Sequence, residues 1–284
     1  MKSDRAALAA SGSTTLFVLL WSSGAIFSKL GLGHATPIAF LILRFAIAGA
    51  VLLAFGIARG NPLPAAGTRG RVALTGALLI GSYSLCYFQA LAHGVTPGVL
   101  ATMLGVQPIL TLLWVERRFS AARLAGLALA LGGLVLVVYQ SIGLARFSVA
   151  GVGFALAALV AMTVGAILQK GIRQAPATVL PLQYGVSLLL CLGCLVFEPF
   201  AFEASVAFLI PLLWLGLVIS VGATLLFYRL IQAGNLVNVT SLFYLVPGGT
   251  AAMDYVFLGN PMAPLALAGM AAILAGLALV FRTS

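Results

Sequence analysis

Ionisable side chains within or beside the long apolar runs of this chain are few, and each could do chemistry of its own. Arg44 lies inside one such run, where it could attract a carboxylate, extend to a polar boundary or pair with a backbone carbonyl. Asp254 falls near the end of another run and could take part in coupling, form part of a gate or face water. Glu116 stands next to two arginines, an arrangement typical of a loop ion pair. His93 follows an apolar run, where we expect a solvated histidine that could sense pH.

Neutral polar and aromatic side chains within the runs are more numerous and could bind an organic solute together. Tyr83 and Tyr87 are four residues apart and therefore share one helix face. Rings would hold an apolar or aromatic group, while hydroxyls and amides would bind polar ends. Such residues also form interfacial belts or join neighbouring helices, so the set carries the prediction better than any one member. The candidate binding residues are Trp21, Tyr83, Tyr87, Gln107, Thr163, Gln183 and Tyr244.

Catalysis and metal binding have little support in the sequence. Cys191 and Cys194 would share a helix face, but no histidine or carboxylate lies near them in sequence, and packing explains both thiols more simply. The chain has no His-rich metal motif and no paired carboxylates beside a nucleophile. We therefore expect no enzyme activity, no catalytic residue, no metal and no cofactor.

The composition places the chain in a lipid bilayer. Hydrophobic residues make up 62% and charged residues 7% of the 284 residues, whereas soluble domains carry about 25% charged residues. The net charge of +10 does not indicate nucleic-acid binding, because the basic residues lie singly or in small groups between apolar runs. The expected partners are a small-molecule substrate and membrane lipids, with no nucleic acid and no obligate protein partner.

About ten apolar segments are long enough to cross the hydrocarbon, and helices are expected because they satisfy their own backbone hydrogen bonds there. Thr36-Pro37 and Thr96-Pro97 have the features of helix starts, with threonine as a cap and proline in the first turn. The predicted cores are residues 13–32, 37–58, 71–92, 97–115, 122–141, 149–170, 177–197, 206–230, 237–257 and 263–281.

The chain is a tandem duplication. Residues 24–29, Gly-Ala-Ile-Phe-Ser-Lys, reappear 141 positions later at residues 165–170 as Gly-Ala-Ile-Leu-Gln-Lys. Five spans in each copy, residues 13–141 and 148–281, would orient the copies oppositely, which is typical of carriers that rock around a central site. The sequence thus predicts an all-α integral membrane protein with ten transmembrane helices, arranged as two inverted five-helix repeats around a central cavity.

Basic residues predict that both termini lie in the cytoplasm. With residues 1–12 as a cytoplasmic segment before an uncleaved first span, twelve of the fifteen lysines and arginines fall on the cytoplasmic side. Only Lys29 and Arg146 fall in outer connections. Lys29 and its counterpart Lys170 end their spans at opposite faces, where both would extend to lipid headgroups. We expect a multi-pass protein of the bacterial inner (plasma) membrane.

Matching prolines in the two copies are candidate hinges. Pro108 and Pro247 occupy equivalent places, and Gly248 follows the second of them. Proline removes a helical hydrogen bond and can kink a span. Paired weak points in opposed helices could bend in turn, or they could be fixed kinks that shape the cavity. The predicted gating or hinge residues are Pro108, Pro247 and Gly248.

The order of motifs in each half resembles the drug/metabolite transporter superfamily, EamA type. That family tends to have a proline-containing fourth span, then a Gly-Glu or Glu-Arg pair, then a glycine-spaced fifth span. The matching residues are Gln107-Pro108, Glu116-Arg117-Arg118, Gly126 and Gly133 in the first half, and Val246-Pro247, Gly259-Asn260, Gly269 and Gly276 in the second. Residues 106–111 and 116–120 are similar to the YddG-type aromatic amino acid exporters of this superfamily. The segment after Pro108 is about one turn shorter than is usual there, and Asn260 stands where the family often has Glu.

The resemblance implies export or facilitated exchange of small metabolites, above all amino acids including aromatic ones, and the inverted repeat favours a carrier that works by alternating access. Because the first span contains no carboxylate, exchange or uniport is favoured over strict proton coupling, although coupled export stays open. The alternatives are a carrier for drugs or nucleotide sugars, and a channel. Nucleotide sugars would need cavity cations to hold phosphate, and Arg44 is the one plausible cation there.

Overall fold

The computed structural model describes residues 2–116, 119–139, 148–258 and 264–282, with side-chain packing for residues 12–116, 119–139, 148–253 and 264–282. Within these residues the chain is helical, apart from short turns and one isolated bridge between Ala35 and Phe202. Among the described residues, nine helices are long and apolar enough to cross a membrane, and a tenth, at residues 121–137, is apolar but shorter. The predicted set of ten helices is confirmed.

The first half of the chain contains helices α1 to α5. Their bounds are Lys2–Leu32 (α1), Pro37–Ala58 (α2), Ala66–Ala92 (α3), Pro97–Val115 (α4) and Ala121–Val137 (α5). Helix α3 contains a π-helical stretch, Ala77–Ser82, and α4 is broken into Pro97–Leu104 and Gln107–Val115.

The second half repeats this order in helices α6 to α10. Their bounds are Val149–Lys170 (α6), Pro176–Val196 (α7), Val206–Ala233 (α8), Leu236–Leu258 (α9) and Pro264–Arg282 (α10). Helix α8 contains a π-helical stretch, Trp214–Ala223, and α9 is interrupted by a 3-10 turn, Leu242–Tyr244. Because the third helix of each half has the π-helical stretch and the fourth has the break, the duplication extends to irregularities of the backbone.

Prolines begin helices α2 and α4, as the sequence predicts, but the two preceding threonines act differently. The Thr96 hydroxyl accepts a hydrogen bond from the Val99 amide at 3.4 Å and so caps α4. The Thr36 hydroxyl does not cap α2. It donates to the carbonyl oxygen of Pro199 at 2.9 Å, and the Thr36 amide donates to Ala201 at 3.0 Å. Thr36 therefore fastens the α1–α2 turn to the α7–α8 connection instead.

Helices α5 and α10, the fifth of each half, pack closely through glycines and run antiparallel. A Cβ on Gly126 would lie 2.8 Å from the carbonyl oxygen of Gly276, and one on Gly133 would lie 2.6 Å from that of Gly269. An early residue of one helix thus meets a late residue of the other. Equivalent helices of the two halves point in opposite directions, so the repeats are inverted. Backbones can approach this closely only where the side chains are very small.

This contact predicts different effects on stability when each of two adjacent glycines is replaced by alanine. Replacing Gly133 by alanine should lower the free energy of unfolding by about 1–3 kcal/mol, because the new methyl group overlaps the α10 backbone. Replacing Gly132 by alanine should have no destabilising effect, since a Cβ there meets nothing within 4 Å. Thermal unfolding of the purified variants, followed by tryptophan fluorescence, measures the difference. Equal melting temperatures for the two variants would contradict the packing.

The connections between helices gather at two opposite ends of the bundle. At the first, which we call the α1–α2 end, the Glu203 amide donates to the His34 carbonyl at 2.7 Å, and the Ser148 hydroxyl donates to the His93 carbonyl at 2.8 Å. At the other, the α2–α3 end, the Ala65 amide donates to the Gln174 side chain at 3.0 Å. Successive connections therefore alternate between the ends, as they must in a bundle of spanning helices.

Candidate functional site

The helices enclose a cavity of about 400 Å³. Its lining comes from both halves and includes residues of α1 to α6, α8 and α9. Ser28 lies near the end of α1, Arg44 near the start of α2, and Tyr87 near the end of α3. All three positions are in the half of the bundle next to the α1–α2 end, so the cavity occupies that half.

The structure brings together one part of the predicted site and leaves the other part outside. Trp21, Tyr83, Tyr87, Gln107 and Pro247 all line the cavity. The predicted residues that are not among its lining residues are Thr163, Gln183, Tyr244, Pro108 and Gly248.

Gln107 is a polar group at the cavity that has no partner in the described part of the chain. Its side chain is 1% exposed, and neither its amide nitrogen nor its amide oxygen has a hydrogen-bond partner among the described residues. An unsatisfied buried polar group costs about 1–3 kcal/mol. A group that lines a cavity can recover this cost by binding a polar ligand, which is what sets Gln107 apart from a packing residue.

Two of the excluded polar residues are satisfied by buried hydrogen bonds within the protein. The Gln183 side chain donates to the Gln169 oxygen at 3.0 Å and accepts from the Tyr228 hydroxyl at 2.8 Å, so it joins α6, α7 and α8. The Thr163 hydroxyl donates to the Leu159 carbonyl of its own helix at 2.7 Å. These bonds explain why the sequence needs polar groups here without a ligand.

Tyr244 is also excluded from the cavity, although it lies in the 3-10 turn of α9. It is fully buried in an apolar cluster that includes Leu112 and Leu127. Its hydroxyl has no partner among the described residues. The cluster places Tyr244 between α9, α4 and α5, behind the cavity wall.

Four aromatic rings form the inner floor of the cavity, which we call the aromatic floor: Phe17, Trp21, Phe227 and Phe243. Their ring centroids are 5.1–5.5 Å apart, within the range of favourable stacked and edge-to-face contacts. Trp21 and Phe243 line the cavity, and Phe17 behind them is fully buried. Because the rings come from α1, α8 and α9, the floor joins both halves and separates the cavity from the α2–α3 end.

Arg44 contributes a charge to the cavity wall. Its Nε donates to the Ser220 hydroxyl at 2.8 Å, and the guanidinium carbon lies 5.9 Å from the centre of the Phe45 ring. Ser220 is in turn held by the Tyr184 hydroxyl, which donates to the Ser220 carbonyl at 2.7 Å. Within the described part of the chain, no carboxylate forms a salt bridge with Arg44. The side chain of Asp254 lies outside the described residues.

A polar cluster closes the α2–α3 end. Arg123 is 4% exposed; it donates to Glu116 at 2.6 Å, to Asn235 at 3.0 Å and to Asn238 at 2.9 Å. Asn235 also donates to Glu116 at 3.0 Å. These four residues, here called the α2–α3 latch, fasten α4 and α5 of the first half to α9 of the second. The partner of Glu116 is therefore Arg123, while the adjacent Arg117 and Arg118 lie outside the described residues.

Lys170 corrects one expectation. Its ammonium does not extend to lipid headgroups but donates to the carbonyl oxygens of Ile231 at 2.7 Å, Gln232 at 3.3 Å and Gly234 at 2.6 Å. Carbonyls at a helix C-terminus lack helical partners and carry partial negative charge, so a cation there caps α8. Its counterpart Lys29 is exposed. The two copies thus use the same lysine differently.

The paired prolines lie at the helix breaks, each within the first turn of the segment after the break. Because proline has no N–H, the carbonyls four residues earlier, those of Leu104 and Phe243, receive no hydrogen bond from Pro108 and Pro247. Both Leu104 and Phe243 line the cavity. Thus Pro108, although it does not line the cavity itself, shapes the backbone that does.

Several lining residues were not among the predicted site residues, and helical spacing could have found some of them. Relative to Pro247, the lining residues Phe243, Thr250 and Ala251 lie four before, three after and four after, so helical spacing places them beside it. Ser84 and Phe88 accompany Tyr83 and Tyr87 in the same way. No comparable spacing in the sequence indicates Met162. The further lining residues include Ser28, Arg44, Ser84, Phe88, Met162, Phe243 and Thr250.

Comparisons with known proteins agree with this architecture. The model of the EamA-like transporter family matches residues 12–139 and 149–282. An uncharacterized transporter, YvbV, of Bacillus subtilis (strain 168) is 26% identical over 273 residues, which cover 93% of this chain and 88% of that protein. A protein of Salmonella typhimurium (strain LT2) named "Probable amino-acid metabolite efflux pump" is 27% identical over 286 residues, covering 92% of this chain and 91% of that one.

The fold has also been seen in a solved crystal structure. That chain superposes with a TM-score of 0.79 at 22% sequence identity, and the match covers 96% of each chain. The family match covers both halves and nearly the whole sequence, so the resemblance noted in the motifs is confirmed: the chain belongs to the EamA-like transporter family.

Proposed function

We propose that this protein is a carrier of the bacterial inner membrane that exports or exchanges small organic metabolites, above all amino acids including aromatic ones. The observation that carries the proposal is the cavity: it is lined by both inverted repeats, reaches toward one end of the bundle and is separated from the other. Its volume of about 400 Å³ lies in the range of small-molecule sites. We expect no enzymatic step and no obligate protein partner.

The lining suits a solute with an apolar or aromatic body and a few polar groups. Three different helices supply aromatic rings to this lining, namely Trp21, Tyr83, Tyr87, Phe88 and Phe243. Rings packed around an aromatic side chain contribute apolar burial and stacking. The name of the Salmonella typhimurium relative supports amino-acid metabolites as the substrate class.

The arrangement supports alternating access. Equivalent helices of the two halves are inverted, so exchanging their conformations would close the α1–α2 end and open the α2–α3 end. The latch and the aromatic floor would separate in that step. The distribution of basic residues supports an orientation with the α2–α3 end and both termini in the cytoplasm. In this orientation the cavity of the structure faces away from the cytoplasm.

Counterflow into proteoliposomes tests the proposal. Vesicles loaded with unlabelled phenylalanine should transiently accumulate labelled phenylalanine against its gradient, with saturable initial rates, whereas vesicles without protein should not. A channel would give flux without counterflow, and a carrier for drugs or nucleotide sugars would give counterflow with those solutes alone. The absence of saturable flux for every amino acid would overturn the amino-acid assignment.

A further inference from the structure

We propose that Arg44 selects substrates by binding a carboxylate, so that the carrier accepts aromatic and apolar organic acids whether or not they have an amino group. This inference rests on the proposed function, because it concerns the same cavity. It goes beyond that function by naming the chemical group that is recognised. It also extends the substrates from amino acids to their deaminated acids.

The charges of the cavity wall favour an anion. Among the described lining residues, Arg44 is the one with a permanent charge, and none is an acid. A cation at membrane depth is costly and is kept where it has a partner or a function. The protein provides Arg44 with a hydroxyl but, within the described chain, with no carboxylate. A substrate carboxylate would supply the missing countercharge.

The geometry leaves the two terminal nitrogens of the Arg44 guanidinium for a ligand. The Ser220 hydroxyl accepts a hydrogen bond from Nε of Arg44 at 2.8 Å. No described residue accepts a hydrogen bond from the two terminal nitrogens. Ser220 itself is held by Tyr184, so the guanidinium is oriented from behind by a second residue. Terminal guanidinium nitrogens can bind both oxygens of one carboxylate, a pairing that an ammonium group cannot reproduce.

The amino group of a substrate finds no equivalent partner. It would meet neutral acceptors such as the Gln107 amide oxygen, which has no partner among the described residues, or the Leu104 carbonyl, to which Pro108 cannot donate. Hydrogen bonds to neutral acceptors are weaker than those between opposite charges. Removing the amino group should therefore weaken binding less than removing the carboxylate does.

Competition among three related solutes tests this inference. Labelled L-phenylalanine is the probe in proteoliposomes, and phenylpyruvate and 2-phenylethylamine are the competitors; direct binding of each is also measured by thermal shift of the purified protein. The variants are Arg44→Gln, which removes the charge, and Arg44→Lys, which keeps the charge and loses the paired geometry. Arg59→Gln is the matched control, since Arg59 is an exposed arginine at the other end of α2.

Phenylpyruvate should compete about tenfold or more better than 2-phenylethylamine, as expected when one charge-assisted pair is present or absent. Arg44→Gln should abolish that preference, Arg44→Lys should reduce it, and Arg59→Gln should retain it. Equal competition by the amine, or an unchanged preference in Arg44→Gln, would overturn the inference while leaving amino-acid transport intact. Binding of phenylpyruvate without any amino-acid binding would support Arg44 and reject the proposed substrates. Binding of neither would reject both.

Discussion

Replacing Gln107 by leucine should weaken amino-acid binding about tenfold or more while leaving the thermal stability unchanged or higher. The buried Gln107 amide has no hydrogen-bond partner among the described residues. A buried amide without a protein partner costs about 1–3 kcal/mol, and leucine has no polar group that carries this cost. The same change removes the unpaired donor and acceptor that the cavity offers to a ligand. Binding and stability should therefore change in different directions, as is common for residues of a functional site.

Gln183 provides the matched control for this substitution. It is equally buried but does not line the cavity, and its amide bonds Gln169 and Tyr228. Gln183→Leu should lower the melting temperature, because it leaves both partners unpaired, yet the folded protein should still bind its substrate. Melting curves with and without phenylalanine measure both properties. A stable Gln183→Leu variant, or a Gln107→Leu variant that binds normally, would contradict these assignments.

Replacing Arg123 by glutamine should open the α2–α3 end. The variant loses the ion pair with Glu116 and its hydrogen bonds to Asn235 and Asn238, which fasten the two halves together in the structure. Loss of about 2 kcal/mol from this closed state would shift the equilibrium roughly 30-fold toward the state open at that end. Transport should slow, because a carrier must return through the closed state in each cycle.

A cysteine placed behind the latch reports this opening. Ser241 is fully buried in α9, between the latch and the aromatic floor. In Ser241→Cys protein, a hydrophilic thiol reagent should react faster when Arg123→Gln is also present. Arg229→Gln, which alters an exposed arginine on α8, should not change the rate. Equal rates for the two arginine variants would mean that the latch does not hold this end closed.

The fold was largely predictable because the bilayer imposes it. A span needs about 20 apolar residues, so the segments and their connections follow directly from the runs of the sequence. The inverted arrangement followed from an odd number of spans in each copy, and the contact of Gly133 with Gly269 confirms it. The role of Lys170 was not predictable, since its acceptors at the end of α8 are distant in sequence.

The site was less predictable, and Gln107 and Gln183 show why. Both are amides in apolar helices, and nothing in their local sequence separates a side chain that faces a cavity from one that faces a neighbouring helix. In a soluble helix an amphipathic pattern would indicate the inward face, but here both faces are apolar. Phe243 illustrates a further difficulty, because its position depends on a 3-10 turn within α9. Tertiary packing thus decides which polar side chains remain without a hydrogen-bond partner in the protein.

In alternating access, the two ends of one bundle open in turn around a shared cavity. Paired spin labels in liposomes test it most directly, after replacement of the free cysteines Cys86, Cys191 and Cys194. One pair, at Leu30 and Val149, reports the α1–α2 end, and the other, at Ala121 and Arg173, reports the α2–α3 end; all four residues are exposed.

Addition of phenylalanine should redistribute both distances in opposite directions, so that the population with a longer Ala121–Arg173 distance grows as the population with a longer Leu30–Val149 distance shrinks. The Arg123→Gln substitution should shift both pairs the same way without substrate. Distances that lengthen together at the two ends, or that stay fixed while transport proceeds, would contradict alternating access.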